Sequence, residues 1–302
     1  MKYRYTSFKV AVIGDVMHDI WWDMESIKIS PEAPVLDIVN PWVSHSSPGG
    51  AGNVALNVSS LGASCDLYFV GGIKCNDTRR VKEDLGFADI GVFVTEQRGY
   101  YIPSKQRFVY NGNQIVRVSK EEKPLPGKAL ASATRLVENK DLYDAVIISD
   151  YNKGSMTIEA IRMIMGNFNT VIVDPKHDNW EAYKGATIFK PNRNEYQTAL
   201  KRNPGISPYD LFDHTVITQG EDGMKVESGG MIDSFPAHDG SVADVAGAGD
   251  TAVAILTLEY LRNGGLIFKA AKLANYGCSL SVKHRGTYRV RAEELNNGYE
   301  SL

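Results

Sequence analysis

The chain has 302 residues, 43% hydrophobic and 23% charged, and a formal net charge of −3. That supplies apolar material for a large core, and so even a charge balance excludes a global attraction to nucleic acid or to a membrane surface. Three cysteines (Cys65, Cys75 and Cys278), none in a C-x-x-C pair, exclude a disulfide scaffold or a thiolate zinc site and point to reduced thiols in a cytoplasm.

In chain order, the first apolar run is "KVAVIGD". It is broken at Asp15, too early for a membrane span or a signal-peptide core. "SPGGAGNVALNVSSLGA" then gives a glycine-rich turn and a helix, with Val54, Ala55, Val58 and Leu61 on one stripe and Gly62 to end it. "DLYFVGG", "DAVIISDY", "TVIVDPK", "GATIFKPN" and "HTVITQG" are near-continuous Val/Ile/Phe runs, the pattern of parallel strands buried on both faces. Helical patterns such as "TIEAIRMIMGNF" and "TAVAILTLEYLRNGG" lie between or after them. This alternation predicts a doubly wound, mostly parallel α/β sheet with helices on both faces and right-handed crossovers.

Two segments break the alternation, at about 19–47 and about 99–120. Both mix β-branched and aromatic residues with turn signals, and the second holds the Asn111-Gly112 dipeptide of a tight hairpin. They are expected to form a small separate β-sheet, inserted after the first and third core strands as a lid within a single domain of residues 1–302. The strand runs close on polar residues: Asp15, Asp150, Asp174, Asn192, and Thr218 with Gly220. Ligands of open α/β sheets bind at these carboxyl ends.

The stretch "DVAGAGDTA" admits more than one chemistry. Gly247, Gly249 and Ala252 match a dinucleotide fingerprint by letter. That fingerprint needs a second parallel strand after its helix, whereas "IFKAAKLANYGCSLSVKH" is another helical pattern, so the dinucleotide reading fails. Two readings stay open on these residues alone. One is an anion-binding loop at a helix start, with Asp250 placed to take a proton from an attacking hydroxyl; the other is a plain cap by Asp250 or Thr251. "SPGGAGN" is either a backbone approach to a small polar ligand, with Asn53 as donor and acceptor, or a glycine-rich cap. Asn192 and Glu195 in "KPNRNEY" are either oxygen donors for a hydrated Mg²⁺ or a capping pair. The six histidines show no metal-binding spacing.

Taken together and in this order, "PGGAGNVALN", "KPNRNE", "ITQGEDG" and "DVAGAGDT" resemble the ribokinase-like carbohydrate kinases of the phosphofructokinase-B family. "VIGDVMHDIWW", "ISPEAPV", "NQIVRVSKEE" and "ISDYNKG" are similar to its D-glycero-β-D-manno-heptose-7-phosphate kinases. The resemblance implies transfer from Mg²⁺·ATP to the anomeric O1 of heptose 7-phosphate, a step toward ADP-heptose and lipopolysaccharide core. It implies Asp250 as the catalytic base and Gly247, Ala248 and Gly249 as the anion hole. Asn192 and Glu195 match its Mg²⁺–phosphate motif, with Mg²⁺ held through water. Thr218, Gly220, Gly223 and Asn275 match its ATP side, and Asp15, Gly49, Gly50 and Asn53 its sugar side.

The resemblance further implies that the sugar's own phosphate is met by cations, for which Lys105, Arg107, Arg117 and Lys153 are candidates, with Lys28 nearby in sequence. It implies a homodimer through the lid. Three departures bear on the acceptor rather than the fold: Ala246 replaces a usual threonine, Lys28 a common arginine, and "YNGNQ" is an unusual lid sequence. With 302 residues, a kinase without a nucleotidyltransferase half is expected. Two other readings stand beside this one, a kinase of the same family for another sugar, sugar acid or nucleoside, and a catalytically silent sugar or nucleotide sensor.

Overall fold

A computed structural model of the chain describes residues 5–176, 180–202, 204–205, 207–238 and 240–299. The first strand, β1 (Lys9–Gly14), runs into β2 (Val16–Ile29) with one residue between them, and β3 (Leu36–Gly50) returns to α1 (Ala51–Ser60). Then come β4 (Ser64–Gly72), α2 (Asn76–Gly86), β5 (Gly91–Gln97), β6 (Ser104–Tyr110), β7 (Asn113–Lys120) and α3 (Pro126–Val137). The middle of the chain holds β8 (Ala145–Ser149), α4 (Ile158–Met165), β9 (Val171–Asp174), β10 (Ile188–Phe189) and α5 (Arg193–Arg202). It ends in β11 (His214–Thr218), β12 (Met224–Ser228), β13 (Met231–Phe235), α6 (Ala248–Arg262), α7 (Ile267–Ser281) and α8 (Ala292–Tyr299).

Nine strands form the main sheet, in the order β13-β12-β11-β10-β9-β8-β1-β4-β5. Seven of them run parallel, as the Val/Ile runs predict. The β12–β13 hairpin adds an antiparallel edge that the run-by-run reading does not contain. Its strands "MKVES" and "MIDSF" interleave charged residues with apolar ones, which hides them from a search for continuous apolar runs. The opposite edge strand, β5, is only half-buried along its length and is likewise missed. Alternation along β1 separates the two faces. Val10 and Val12 join the core beneath α1, α6 and α7, whereas Ala11 and Ile13 join the core with Ala160, Ile161 and Ile164 of α4.

The second sheet has four strands, in the order β3-β2-β6-β7. Its β6–β7 turn is the predicted Asn111-Gly112 pair, with φ of +50° and +78° at the two residues. This lid begins earlier and ends later than 19–47. The correction has a physical cause: Val16 and Met17 pair with Gly50 and Gly49, so the glycines read as a turn lie in the last pairs of a strand. Gly62, with φ of +93°, ends α1 as expected.

On the α4 side, Phe189 is fully buried, stacked on Phe212 at 4.1 Å and set edge-on to Trp180 at 5.2 Å. Phe189→Ala is expected to cost about 3–5 kcal/mol of folding stability. The check is a lower urea midpoint at an unchanged denaturant slope.

Candidate active site

The carboxyl ends of the parallel strands and the start of α6 meet at Asp250, which is 4% exposed. One carboxylate oxygen accepts from Asn53 Nδ2 of α1 at 2.7 Å, the other from the Tyr151 hydroxyl at 2.7 Å, on the loop after β8. Burial drives the Asp250 pKa up to about 6, helped by the Asp174 carboxylate and opposed by the two hydrogen bonds and by Lys190. The Tyr151 phenol is held well above its usual value by burial and by Asp250, so it stays a donor. Both readings of "GAGD" are thereby decided in one respect. Asp250 does not cap α6; the cap is Gly247, in the left-handed conformation with φ of +80°. A Cβ on Gly247 would stand 2.9 Å from Asn53 Nδ2, so only glycine lets the amide reach Asp250. In the first turn of α6 the N–H groups at Gly249 and Asp250 lack carbonyls one turn back within the helix, which makes an anion-binding end.

Lys190 faces this end. Its Nζ lies 3.6 Å from where a Cβ on Gly249 would be, and it pairs with Asp174 at 3.0 Å. Burial acts to lower the Lys190 pKa, but Asp174, Glu195 and Asp250 outweigh it and the ammonium stays charged. A buried cation thus sits beside the helix start, next to the candidate base.

On one flank lie the residues expected to meet ATP. Asn192 and Thr218 form a bridge at the ends of β10 and β11. Asn192 and Glu195 form a reciprocal capping box on α5, with Glu195 N donating to Asn192 Oδ1 at 2.9 Å and Asn192 N donating to Glu195 Oε2 at 2.8 Å. The other Glu195 oxygen pairs with Lys176. Gly220 and Gly223 bracket a short turn, and a Cβ on Gly223 would overlap the Phe235 carbonyl at 2.0 Å. Asn275, on α7, gives its amide to the Pro236 carbonyl at 2.7 Å.

On the other flank lies the lid. Asp15 is 1% exposed, and its carboxylate accepts the backbone N–H groups of Tyr151, Lys153 and Ser155, each at 2.9 Å. It orders the "DYNKG" loop, and with it Tyr151. Gly49 leaves room for the Asp19 carboxylate, 2.2 Å from where its Cβ would be, and Gly50, at φ of +58°, passes close over the Asp15 carbonyl. Asp19 in turn binds Arg107 at 2.7 Å. Lys105 is opposite Asp19, and Arg117 is opposite Arg107. Burial lowers the Lys105 pKa, Asp19 raises it, and Arg107, Lys153 and Arg117 add to the lowering, so these cations form one group. Lys153 is balanced by Glu121 at 2.7 Å. Lys28 is not brought here: it is exposed, five residues beyond the last residue of β2 that pairs with β6.

The sequence reading gives no role to four residues of this region: Tyr151, Lys190 and Asp19, and Asp174, which it names only as a strand end. Three lie inside quoted motifs, "DYNKG", "DPK" and "KPN", so the signal was present but unassigned to a side chain. Asp19 stands four residues after Asp15, on the strand that carries the lid. Among the described residues no group of three or more His, Cys, Asp or Glu side chains is placed to hold a metal ion. No described helix is long and apolar enough to cross a membrane.

Comparison with known proteins agrees with this geometry. Residues 7–294 match the model of the pfkB family carbohydrate kinases. "Bifunctional protein HldE" of Coxiella burnetii is 32% identical over 314 residues, covering 99% of this chain and 65% of the relative. Its namesake in Hydrogenovibrio crunogenus is 33% identical over 310 residues, covering 96% and 62%. The chain therefore spans a little under two thirds of these curated relatives. Ribokinase from Thermotoga maritima superposes with a TM-score of 0.76 at 17% identity, over 97% of this chain and 99% of that one. Escherichia coli phosphofructokinase-2 gives the same score and identity over the same shares. These two likenesses speak for the fold, and the match along residues 7–294 speaks for the chemistry: the chain belongs to the pfkB family of carbohydrate kinases.

Proposed function

We propose that this kinase transfers the γ-phosphoryl group of ATP to O1 of D-glycero-β-D-manno-heptose 7-phosphate. The observation that carries the phosphotransfer is Asp250, buried yet ionisable near neutral pH, at a glycine-capped helix start beside Lys190. The acceptor hydroxyl gives its proton to Asp250 as its oxygen attacks phosphorus. Asn53 and Tyr151 fix the carboxylate's orientation. The first-turn amides of α6 and the Lys190 ammonium stabilise the negative charge on the transferring group. The lid keeps water from competing as acceptor. A silent sensor would need none of these.

The heptose acceptor rests on the "VIGDVMHDIWW", "ISPEAPV", "NQIVRVSKEE" and "ISDYNKG" motifs, with support from the name HldE shared by the curated relatives. The Lys105, Arg107, Arg117 and Lys153 group supports an acceptor that already carries a phosphate. Asp19, beside Arg107, suits a sugar hydroxyl. For Mg²⁺ the fit is through water: Asn192 and Glu195 already engage their oxygens in the capping box and with Lys176, and each oxygen has a further lone pair that a coordinated water could reach. When bound on ATP it supplies positive charge at the phosphate oxygens. The three free cysteines suit a reducing cytoplasm. The lid's exposed Trp42, Val43, Ile115 and Val118 suit pairing with a second copy.

Asp250→Asn is expected to lower kcat roughly 10²–10⁴-fold with ATP affinity within a few-fold of wild type. Activity near the wild-type level would remove Asp250 from the base's role. Because Asp250 must be ionised and titrates near 6, log kcat/KM should rise with unit slope up to about pH 6 and then level. Tyr151→Phe deletes a hydrogen bond that favours the ionised form, so its acid limb should move to higher pH. Light scattering at micromolar concentration should show a dimer, and Val118→Asp should shift it toward monomer. A monomeric wild type would refute the lid interface. Product analysis by NMR, after incubation with ATP and heptose 7-phosphate, tests O1 as the acceptor.

A further inference from the structure

Between lid and core lies a cavity of about 630 Å³. It continues the acceptor side outward: Asp19, Trp21 and Asp23 alternate onto one face of β2, with Lys105 and Arg107 opposite the first two. Its lid wall includes Trp21, Arg107 and Gly112; its core wall includes Asp244, Ala246 and Arg285. Ala246 directly precedes the Gly247 cap, so the cavity opens beside the candidate anion hole. Arg107 is paired with Asp19 and lies over the Trp21 ring at 4.7 Å, which leaves part of its guanidinium fork uncommitted.

Arg285 stands on the core side of the same cavity. Among the described residues it makes no hydrogen bond and no ion pair. Asp244 lines the same cavity but forms no ion pair with it; its two oxygens accept from the backbone N–H groups of Ala246 and Gly286, each at 3.0 Å. These bonds hold the Arg285 segment against the loop that leads to α6. The Arg285 guanidinium reaches the lid's turn, with Nη1 3.7 Å from where a Cβ on Gly112 would stand. Two guanidinium groups, one on each wall, thus share a cavity with the Asp23 and Asp244 carboxylates.

We propose that Arg285 is a specificity residue that, together with Arg107, grips a phosphate monoester already carried by the acceptor. The phosphate then bridges core and lid, and only an acceptor bearing one completes the contact across the cleft. This rests on the reading of the chain as a kinase of phosphorylated sugars and assigns that preference to a residue outside the family motifs.

The test compares wild type, Arg285→Ala and Arg285→Lys on heptose 7-phosphate and on the same heptose without phosphate. Arg285→Ala should raise KM for the phosphorylated sugar roughly ten- to hundredfold, the effect of losing one charge-assisted hydrogen bond. KM for ATP and for the free heptose should not move, kcat should stay within a few-fold, and lysine should restore part of the loss. An unchanged KM, or an equal loss on both sugars, overturns the proposal. If wild type turns over neither sugar, the acceptor assignment fails while the cavity is still tested. Inorganic phosphate should then raise the melting temperature of wild type more than that of Arg285→Ala, and equal shifts overturn Arg285's role.

Discussion

A carboxylate taken out of water has to be paid for, and at Asp250 the means are two side-chain hydrogen bonds from distant parts of the chain. Asn53 comes from the first helix and Tyr151 from the loop after β8. An isolated buried charge would cost several kcal/mol; two donors offset enough of that to leave an acid that ionises near neutral pH. The surrounding backbone follows from this arrangement. Gly247 has to be glycine to admit the Asn53 amide, and α6 has to start where it does to bring Asp250 under Tyr151.

Charge is arranged unequally on the two flanks. On the flank of Asn192 and Glu195 the cations and acids are already matched, Lys190 with Asp174 and Lys176 with Glu195. Toward the lid, Lys105 lies beside Arg107, Lys153 and Arg117, and the pairs Asp19–Arg107 and Glu121–Lys153 leave that group with surplus positive charge. The oxygens of N-x-x-E satisfy the open end of α5.

The parallel half of the fold was legible because buried strands read as unbroken Val/Ile runs, and the hairpin turn because Asn-Gly takes positive φ at low cost. β5, β12 and β13 were not legible: edge strands carry charge and are wetted on one side, which erases the signal. At the site, the sequence reading gives Asp250 and Asn53 separate roles, base and sugar side, and the fold brings the two side chains into contact. What periodicity and spacing could not show was which side chain within each motif turns inward. Tyr151, Lys190 and Asp174 required the packing. Gly49 and Gly50, read from sequence as a turn for close backbone approach or a glycine-rich cap, pass close to the Asp19 carboxylate and the Asp15 carbonyl.

Asp15 is the only residue between the first core strand and the lid strand β2. Its N–H donates to the Ser149 carbonyl, its own carbonyl accepts from Ala51 N, and its carboxylate collects three amides of the following loop. At this crossing the lid has no linker, so a tilt of β2 against β1 passes through Asp15, whereas the connections to the core at 98–103 and 121–125 are longer. Lid strand and candidate base are therefore tied to one residue, which holds the start of the Asn53 helix and the Tyr151 loop in a fixed relation.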